Sequence, residues 1–282
     1  MRASFDLGQV EAALAGTPFA HHLHHVASTG STNALALEAA QAGVATGVWL
    51  ADEQTAGRGR GGHTWHSSVG DGLYVSVLLR PRLFGADALK LSLAAGLAAK
   101  HAIAEAGGIP AERIDLRWPN DLMITGRDGE QRKFGGILTE SSMDGGDGAL
   151  AYAVIGVGMN LNHAAMPAEL SDLATSLYLA GGELVSREAI LIEMLCELAV
   201  QVNLVEAEAG GIPKVQVSLA LRFERASTWV RGLSVHVAEG DGYTGVTDGL
   251  DPHGLLRVRL ANGSTRTVRH GSVRRSGQGQ GG

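Results

Sequence analysis

The hydrophobic period changes once along this chain, and that change restricts it to two structurally different parts. Up to about Leu221, apolar runs of strand length alternate with stretches of helical period; beyond it only short strands and turn signals remain. In the first part, Val48–Ala51, Leu73–Leu79, Ile114–Arg117 and Tyr152–Val157 are rich in β-branched, leucine or aromatic residues and are expected to be strands. Between them Leu89, Leu93 and Leu97 recur at the four-residue spacing of one helix face. A later helix is predicted from Arg187, with Ile190, Met194 and Leu198 on an apolar stripe and Glu193, Glu197 and Gln201 on a polar one. Ser186 precedes it and can accept a free first-turn N–H as N-cap.

In the second part, Asp241-Gly242, Asp251-Pro252-His253-Gly254 and Asn262-Gly263 punctuate the strands. Asn262-Gly263 suits a two-residue type I′ hairpin between the alternating Leu256, Val258, Leu260 run and Thr265 to Arg269. Five short strands in about fifty residues predict a small SH3-like β-barrel. The expected division is a ligand-binding α/β body over residues 1–221, a β domain over 222–275 and a tail over 276–282 that is expected to be disordered because it has nothing apolar to bury.

Composition excludes several classes. At 45% hydrophobic and 18% charged residues the chain can build a sizeable core. Lys90, Lys100 and His101 interrupt its most apolar stretch, so no membrane span is expected. Asp6 and Glu11 break any secretory core near the start. The single cysteine, Cys196, falls inside the late helix, where it reads as packing, and forbids an internal disulfide or a cysteine-based zinc site. A cytoplasmic protein is therefore expected. The net charge of −6 argues against a bulk electrostatic grip on nucleic acid, and the nine arginines of residues 222–282 read as solvated faces. There is no G-x-x-x-x-G-K-[ST] phosphate loop, no G-x-S-x-G nucleophile elbow and no H-E-x-x-H zinc helix. The run His21-His22-Leu23-His24-His25 lacks carboxylate or thiolate partners at ligand spacing and reads as structural or surface histidine.

The densest chemical signal is residues 51–65, ADEQTAGRGRGGHTW, directly after a strand. Gly57, Gly59 and Gly62 formally match G-x-G-x-x-G, but Asp71-Gly72 and the next strand arrive before any helix, so a dinucleotide turn is not expected. What remains is a glycine loop carrying Arg58 and Arg60, able to wrap amides and guanidinium groups around phosphate or carboxylate oxygens. Ser31-Thr32-Asn33 offers hydroxyl and amide groups to a polar head, or caps a helix expected over Ala34–Ala42. Trp118-Pro119-Asn120-Asp121 ends a strand with an amide and a carboxylate suited to Mg²⁺ or a nucleotide, or forms a type I turn. Lys133 stands before Phe134-Gly135-Gly136-Ile137-Leu138, where paired glycines admit a ligand to the backbone. Gly156-Val157-Gly158-Met159-Asn160 closes a buried strand with small residues and an amide.

In this order, together with Ala174-Thr175-Ser176-Leu177, these motifs strongly resemble those of the biotin protein ligases over nearly the whole chain. The resemblance implies a mixed α/β sheet related to class II aminoacyl-tRNA synthetases, followed by the small SH3-like barrel. It implies activation of biotin by MgATP as biotinyl-5′-AMP, then transfer to a lysine of the biotin carboxyl carrier protein of acetyl-CoA carboxylase. By resemblance, Ser31, Thr32, Asn33 and Gln54 would hold biotin, and Gly57, Arg58, Gly59 and Arg60 would close over it. Gly135 and Gly136 would let the backbone approach, and Lys133 would bridge the biotin carboxylate and the α-phosphate, with Arg60 the second catalytic cation. Arg58, Arg60, His63, Asn120, Asp121 and Asn160 would face ATP and its Mg²⁺. His63 follows Gly61-Gly62 where most relatives carry a further arginine. Only thirty residues precede Ser31, so the monofunctional form without a DNA-binding domain is expected, with no DNA or membrane partner. The family includes monomers and homodimers. Two other readings stay open: a lipoate or octanoate transfer enzyme of the same superfold, and a non-enzymatic biotin sensor.

Overall fold

The computed structural model describes residues 5–212 and 216–276. Its body is a seven-stranded mixed sheet in the order β1-β2-β3-β7-β6-β5-β4. The strands are β1 (Leu23–Thr29), β2 (Gly47–Gln54), β3 (Gly72–Leu79), β4 (Ile114–Arg117), β5 (Asp121–Thr125), β6 (Gln131–Met143) and β7 (Leu150–Asn160). β1 and β2 run parallel and every other neighbouring pair is antiparallel. The four strands expected from composition are all present. The period of two then sorts side chains to two faces. Val48, Leu50, Val75, Val77 and Ile155 pack into the large core with helices α1 (Leu7–Ala13), α3 (Ala88–Glu105) and α5 (Arg187–Ala209). Trp49, Leu78 and Val154 face the other way, against Ala36 and Ala40 of α2 (Thr32–Gln41).

Helix α5 carries the predicted pattern: Ile190, Met194 and Leu198 are buried, and Ser186 Oγ accepts from Ala189 N at 3.1 Å. Such a cap contributes about 1 kcal/mol. Gln201, expected on the polar stripe, is instead buried, with its Nε2 donating to Glu197 Oε1 at 2.6 Å. Cys196 is packed against the core. On α3 the wholly buried stripe runs through Leu91 and Leu93, with Leu89 and Leu97 only half-buried. Among the described residues no helix is long and apolar enough to cross a membrane.

After the short α4 (Leu177–Gly181) and α5, helix α6 (Leu219–Ala226) packs Leu219 and Phe223 into the core of the body. The expected boundary at 221/222 lies inside it. The C-terminal unit is a five-stranded antiparallel sheet, ordered β11-β10-β9-β8-β12. It comprises β8 (Arg231–Val237), β9 (Tyr243–Leu250), β10 (Leu256–Arg259), β11 (Thr265–Thr267) and β12 (Val273–Arg275). The β10–β11 connection differs from the predicted type I′ turn. Gly263 N donates to Leu260 O at 3.0 Å and only Gly263, at φ +83°, is left-handed. Asn262 Oδ1 accepts from Ser264 N at 3.0 Å, an Asx turn that holds Asn262 out of the positive-φ region. Of the expected tail 276–282, residues 277–282 lie outside the described residues.

Candidate active site

The cleft opens on the α2 face of the body sheet, where neighbouring strands present glycine at one level. Gly158 pairs with Tyr74 on one side and Gly136 on the other, and Gly136 pairs with Asp121. One row along, Gly156 lies between Ser76 and Leu138. Without Cβ atoms the sheet surface drops, leaving an open cleft over these glycines.

One end of the cleft is polar. Ser31, at the N-cap position of α2, makes no side-chain cap bond, so its hydroxyl faces the cleft instead. Helix α2 begins two residues earlier than expected, which puts Thr32 and Asn33 in its buried first turn. Thr32 N and Oγ1 lie 2.9 and 3.1 Å from Gln54 Oε1, and Gln54 Nε2 donates to Ser67 Oγ at 3.0 Å. Ser76 Oγ sits 2.8 Å from Thr32 Oγ1 and 2.5 Å from Asn33 Oδ1. Asn33 Nδ2 donates to Glu140 Oε2 at 2.8 Å. This connected set fixes the rotamers of Thr32, Asn33 and Gln54 before any ligand arrives.

The other end is cationic. A register shift in the β5–β6 pairing places Phe134 as an extra residue, so Lys133 and Gly136 share the cleft face while Phe134 turns into the core. Lys133 Nζ lies 2.5 Å from Asp121 Oδ1. The second oxygen of Asp121 takes Arg117, whose Nε is 2.9 Å away. Burial pushes the Asp121 carboxyl up, but Lys133 and Arg117 together outweigh it and hold the group below its ordinary value.

The loop between β2 and β3 forms the lid. It crosses back on itself at the Arg58–Thr64 bridge and makes one 3₁₀ turn, Arg60–Gly62, with no helix following. Trp65 N donates to Gly57 O, and a Cβ at Gly57 would stand 2.6 Å from Trp65 O, so only glycine permits the crossing. Arg58 Nη2 reaches Glu140 Oε2 at 2.9 Å, closing the lid onto β6. The Trp65 ring lies over Gly136 and Gly158, its centre 5.4 Å from Lys133 Nζ, and its buried Nε1 has no partner among the described residues.

Ser31, Thr32, Asn33, Gln54, Arg58, Gly59, Arg60, Asn120, Lys133 and Gly136 thus converge on one cleft. Gly57 sits within the lid, against Trp65 and Ser67, and Gly135 on the core side of β6, under Leu122. Asp121 stands behind Lys133, both oxygens occupied by cations, and Asn120 bonds Ile137 through its backbone and side chain. The turn that carries them has a cis Trp118–Pro119 peptide and is not type I. Asn160 is buried away from the cleft lining; its Nδ2 donates to Thr175 O at 3.2 Å and its Oδ1 is unpartnered among the described residues. His63 is exposed on the lid. Trp65, Ser76, Arg117 and Glu140 were not identified from sequence. Of the histidine run, His24 stacks on Trp49 and His25 bonds Asp52 at 2.9 Å. Among the described residues no three His, Cys, Asp or Glu side chains are grouped to hold a metal ion.

Residues 26–160 match the family model described as the biotin/lipoate A/B protein ligase family. The biotin--[acetyl-CoA-carboxylase] ligase of Mycobacterium tuberculosis is 33% identical over 251 residues, covering 88% of this chain and 86% of that protein. The bifunctional ligase/repressor BirA of Bacillus subtilis is 40% identical over 148 residues, 52% of this chain but only 42% of its own length. Among solved structures, a biotin protein ligase from Aquifex aeolicus in complex with biotin and ATP superposes with a TM-score of 0.73 at 28% identity. That likeness covers 91% of this chain and 100% of the other. On these similarities the chain belongs to the biotin/lipoate A/B protein ligase family, on its biotin protein ligase branch.

Proposed function

We propose that this chain is a biotin--[acetyl-CoA-carboxylase] ligase, which activates biotin with MgATP and transfers it to a carrier lysine. The observation that carries the reading is a single cleft with a rigid polar end and a cationic end under an arginine-bearing lid. The polar end suits a neutral, hydrogen-bonding ring such as the ureido group; Ser31, Thr32 and Gln54 meet it. The cationic end suits the carboxylate tail and the nucleotide phosphates.

In the first step a biotin carboxylate oxygen attacks the α-phosphorus of ATP. The new O–P bond replaces the bond to the β-phosphate bridging oxygen, and pyrophosphate leaves with its magnesium. Two anions must meet, so positioned positive charge is the main requirement. Lys133 is held at the cleft wall to face both, and Arg58 and Arg60 bring two further cations from the lid. Mg²⁺ enters as part of the nucleotide substrate; Asp121, already bound to two cations, serves Lys133 in this reading. In the second step the carrier lysine amine attacks the acyl carbon, the bond to the phosphate oxygen breaks, AMP departs, and the amine loses a proton to leave an amide. Asn120 borders the nucleotide side, and Asn160 supports the strand end behind it. A carboxyl carrier domain is the protein partner, and a cytoplasmic setting agrees with a single free cysteine.

The test is pyrophosphate release by the purified chain. It should require biotin and ATP together, and adding a carboxyl carrier domain should yield the biotinylated lysine. Turnover with lipoate in place of biotin would assign the chain to the lipoate branch, and binding of biotin without pyrophosphate release would make it a sensor.

A further inference from the structure

The carboxylate behind Lys133 raises a problem of charge. An isolated lysine–aspartate pair at 2.5 Å is neutral overall, and the field it presents to an incoming phosphate or carboxylate largely cancels. Here the pair is not isolated. Arg117 takes the other oxygen of Asp121, from the opposite strand of the β4–β5 hairpin, where the two residues are directly paired. Three charged groups then sum to one positive charge.

Arg117 is itself held from outside the body. Its guanidinium carbon lies 5.3 Å from the centre of the Trp229 ring, and Arg275 of β12 lies 4.6 Å from the same ring. Trp229 is buried, with Nε1 donating to Gln131 Oε1 at 3.0 Å, and the residue before it bonds Asp115 of β4 through both N and Oγ1. Trp229 therefore fixes one flank of Arg117 from the segment that leads into the C-terminal sheet, and Arg275 adds a contact from the sheet's last strand.

We infer that Arg117 is a positioning residue for adenylate formation: it shares Asp121 with Lys133 so that the site keeps a net positive charge, and Trp229 makes this arrangement depend on the C-terminal domain. The inference rests on the ligase reading for its catalytic half. The charged groups facing Asp121 are Lys133 from β6 and Arg117 from β4; Arg275 reaches it only across the Trp229 ring.

The test compares Arg117→Gln, Arg117→Lys and Trp229→Leu in the full chain. In Arg117→Gln, kcat for biotin- and ATP-dependent pyrophosphate release should fall about tenfold, the loss of about 1.4 kcal/mol of transition-state stabilisation. KM for biotin should change less than about twofold, since the polar end is untouched. The lysine variant should restore most of kcat. Trp229→Leu should lower it about threefold, the scale of one cation–π contact. A second readout is independent of turnover: carboxyl-carbon NMR of aspartate-labelled protein, with Asp121→Asn to assign the signal. Asp121 should titrate at higher pH in Arg117→Gln, having lost one of its two cations, and return downward in Arg117→Lys. A variant that merely loosened the fold would raise KM as kcat fell and would not be rescued by lysine. If the wild type turns over and Arg117→Gln leaves both kcat and the Asp121 titration unchanged, the inference is overturned. If the wild type releases no pyrophosphate, the ligase reading and the catalytic role fail together, and the carboxyl titration still decides whether Arg117 holds Asp121.

Discussion

Gly156→Ala probes the polar end of the cleft most sharply. A Cβ built on Gly156 would stand 2.9 Å from Asn33 Cγ and closer still to its Oδ1, inside the 3.0 Å that real Cβ atoms respect. Asn33 cannot simply turn aside, because Ser76 Oγ lies 2.5 Å from its Oδ1 and Glu140 accepts from its Nδ2 at 2.8 Å. Displacing it forfeits one neutral hydrogen bond, about 1 kcal/mol, and one to a carboxylate, about 2 kcal/mol. Alanine regains about 0.5–1 kcal/mol over glycine in a strand, leaving a net cost of about 2 kcal/mol. That corresponds to a fall in Tm of about 4–8 °C in a chain of this size. The displaced amide also enters the cleft, and biotin affinity by calorimetry should weaken about 30-fold, equivalent to about 2 kcal/mol. Gly158→Ala is the matched control. Its Cβ would meet Trp65 Cε2 at 2.7 Å, but Trp65 belongs to the lid and can swing away. Its Tm should stay within about 2 °C of wild type. A Gly156→Ala protein with unchanged Tm and a biotin Kd within about threefold of wild type would refute the claim that Asn33 is pinned and shapes the site.

Lys133→Ala and Arg60→Ala should each slow adenylate formation at least about 100-fold, the loss of about 2.7 kcal/mol of charge stabilisation; undiminished single-turnover pyrophosphate release from Lys133→Ala would remove its assigned role. The lid from Thr55 to His66 should exchange its amides faster without ligand than with biotin and ATP, since Arg58–Glu140 is an exposed pair of small net value; equal protection in both states would contradict a moving lid. Asp87, whose carboxyl is raised by burial but held lower overall by Lys90 and by His253 of the C-terminal domain, stabilises the fold when ionised. Because its folded pKa is depressed, that contribution is present above the unfolded value, about 3.9, and is lost as pH falls through the folded one. Asp87→Asn should therefore lower the urea midpoint at pH 7 and match wild type once pH falls below both values; an equal deficit at pH 7 and at pH 2 would refute the assignment.

Where burial dictated residue type, the fold was readable in advance. Ile190, Met194 and Leu198 announce α5, and Ser186 announces its start, because capping and the helical period are local properties. The glycine–arginine lid and Lys133 were likewise legible, being strings of unusual residues close in sequence. Glu140 was not. In a strand, a polar residue at every second position normally means a solvated face, and only the packing of α2 across β2, β3 and β7 brings Asn33 to this one. Ser76 did leave a trace: a serine hydroxyl within Leu73–Leu79, a strand buried on both faces, requires a polar partner. Arg117, at the end of the Ile114–Arg117 strand, and Asp121, in the motif that follows, were not linked in advance, because only the hairpin turn pairs them. The shared face of Lys133 and Gly136 depends on a bulge, which no local pattern specifies. Trp65 comes to the cleft through the path of a long loop, a tertiary property throughout.

The seam between body and C-terminal sheet has a bearing on how such a protein can be cut or fused. Trp118 Nε1 donates to Gly254 O at 2.9 Å, and Thr228 Oγ1 lies 2.6 Å from Asp115, a carboxylate only 5% exposed. A version trimmed after α6 would leave an indole N–H without its acceptor and take from Asp115 the two donors of Thr228, leaving it only Leu116 N and Gln131 Nε2, a penalty of about 1–3 kcal/mol for the indole alone. Shortened enzymes or chimeras joining a body to a foreign C-terminal module must therefore bring matching donors across this boundary, and fusion partners are better placed at the outer ends than between the two halves.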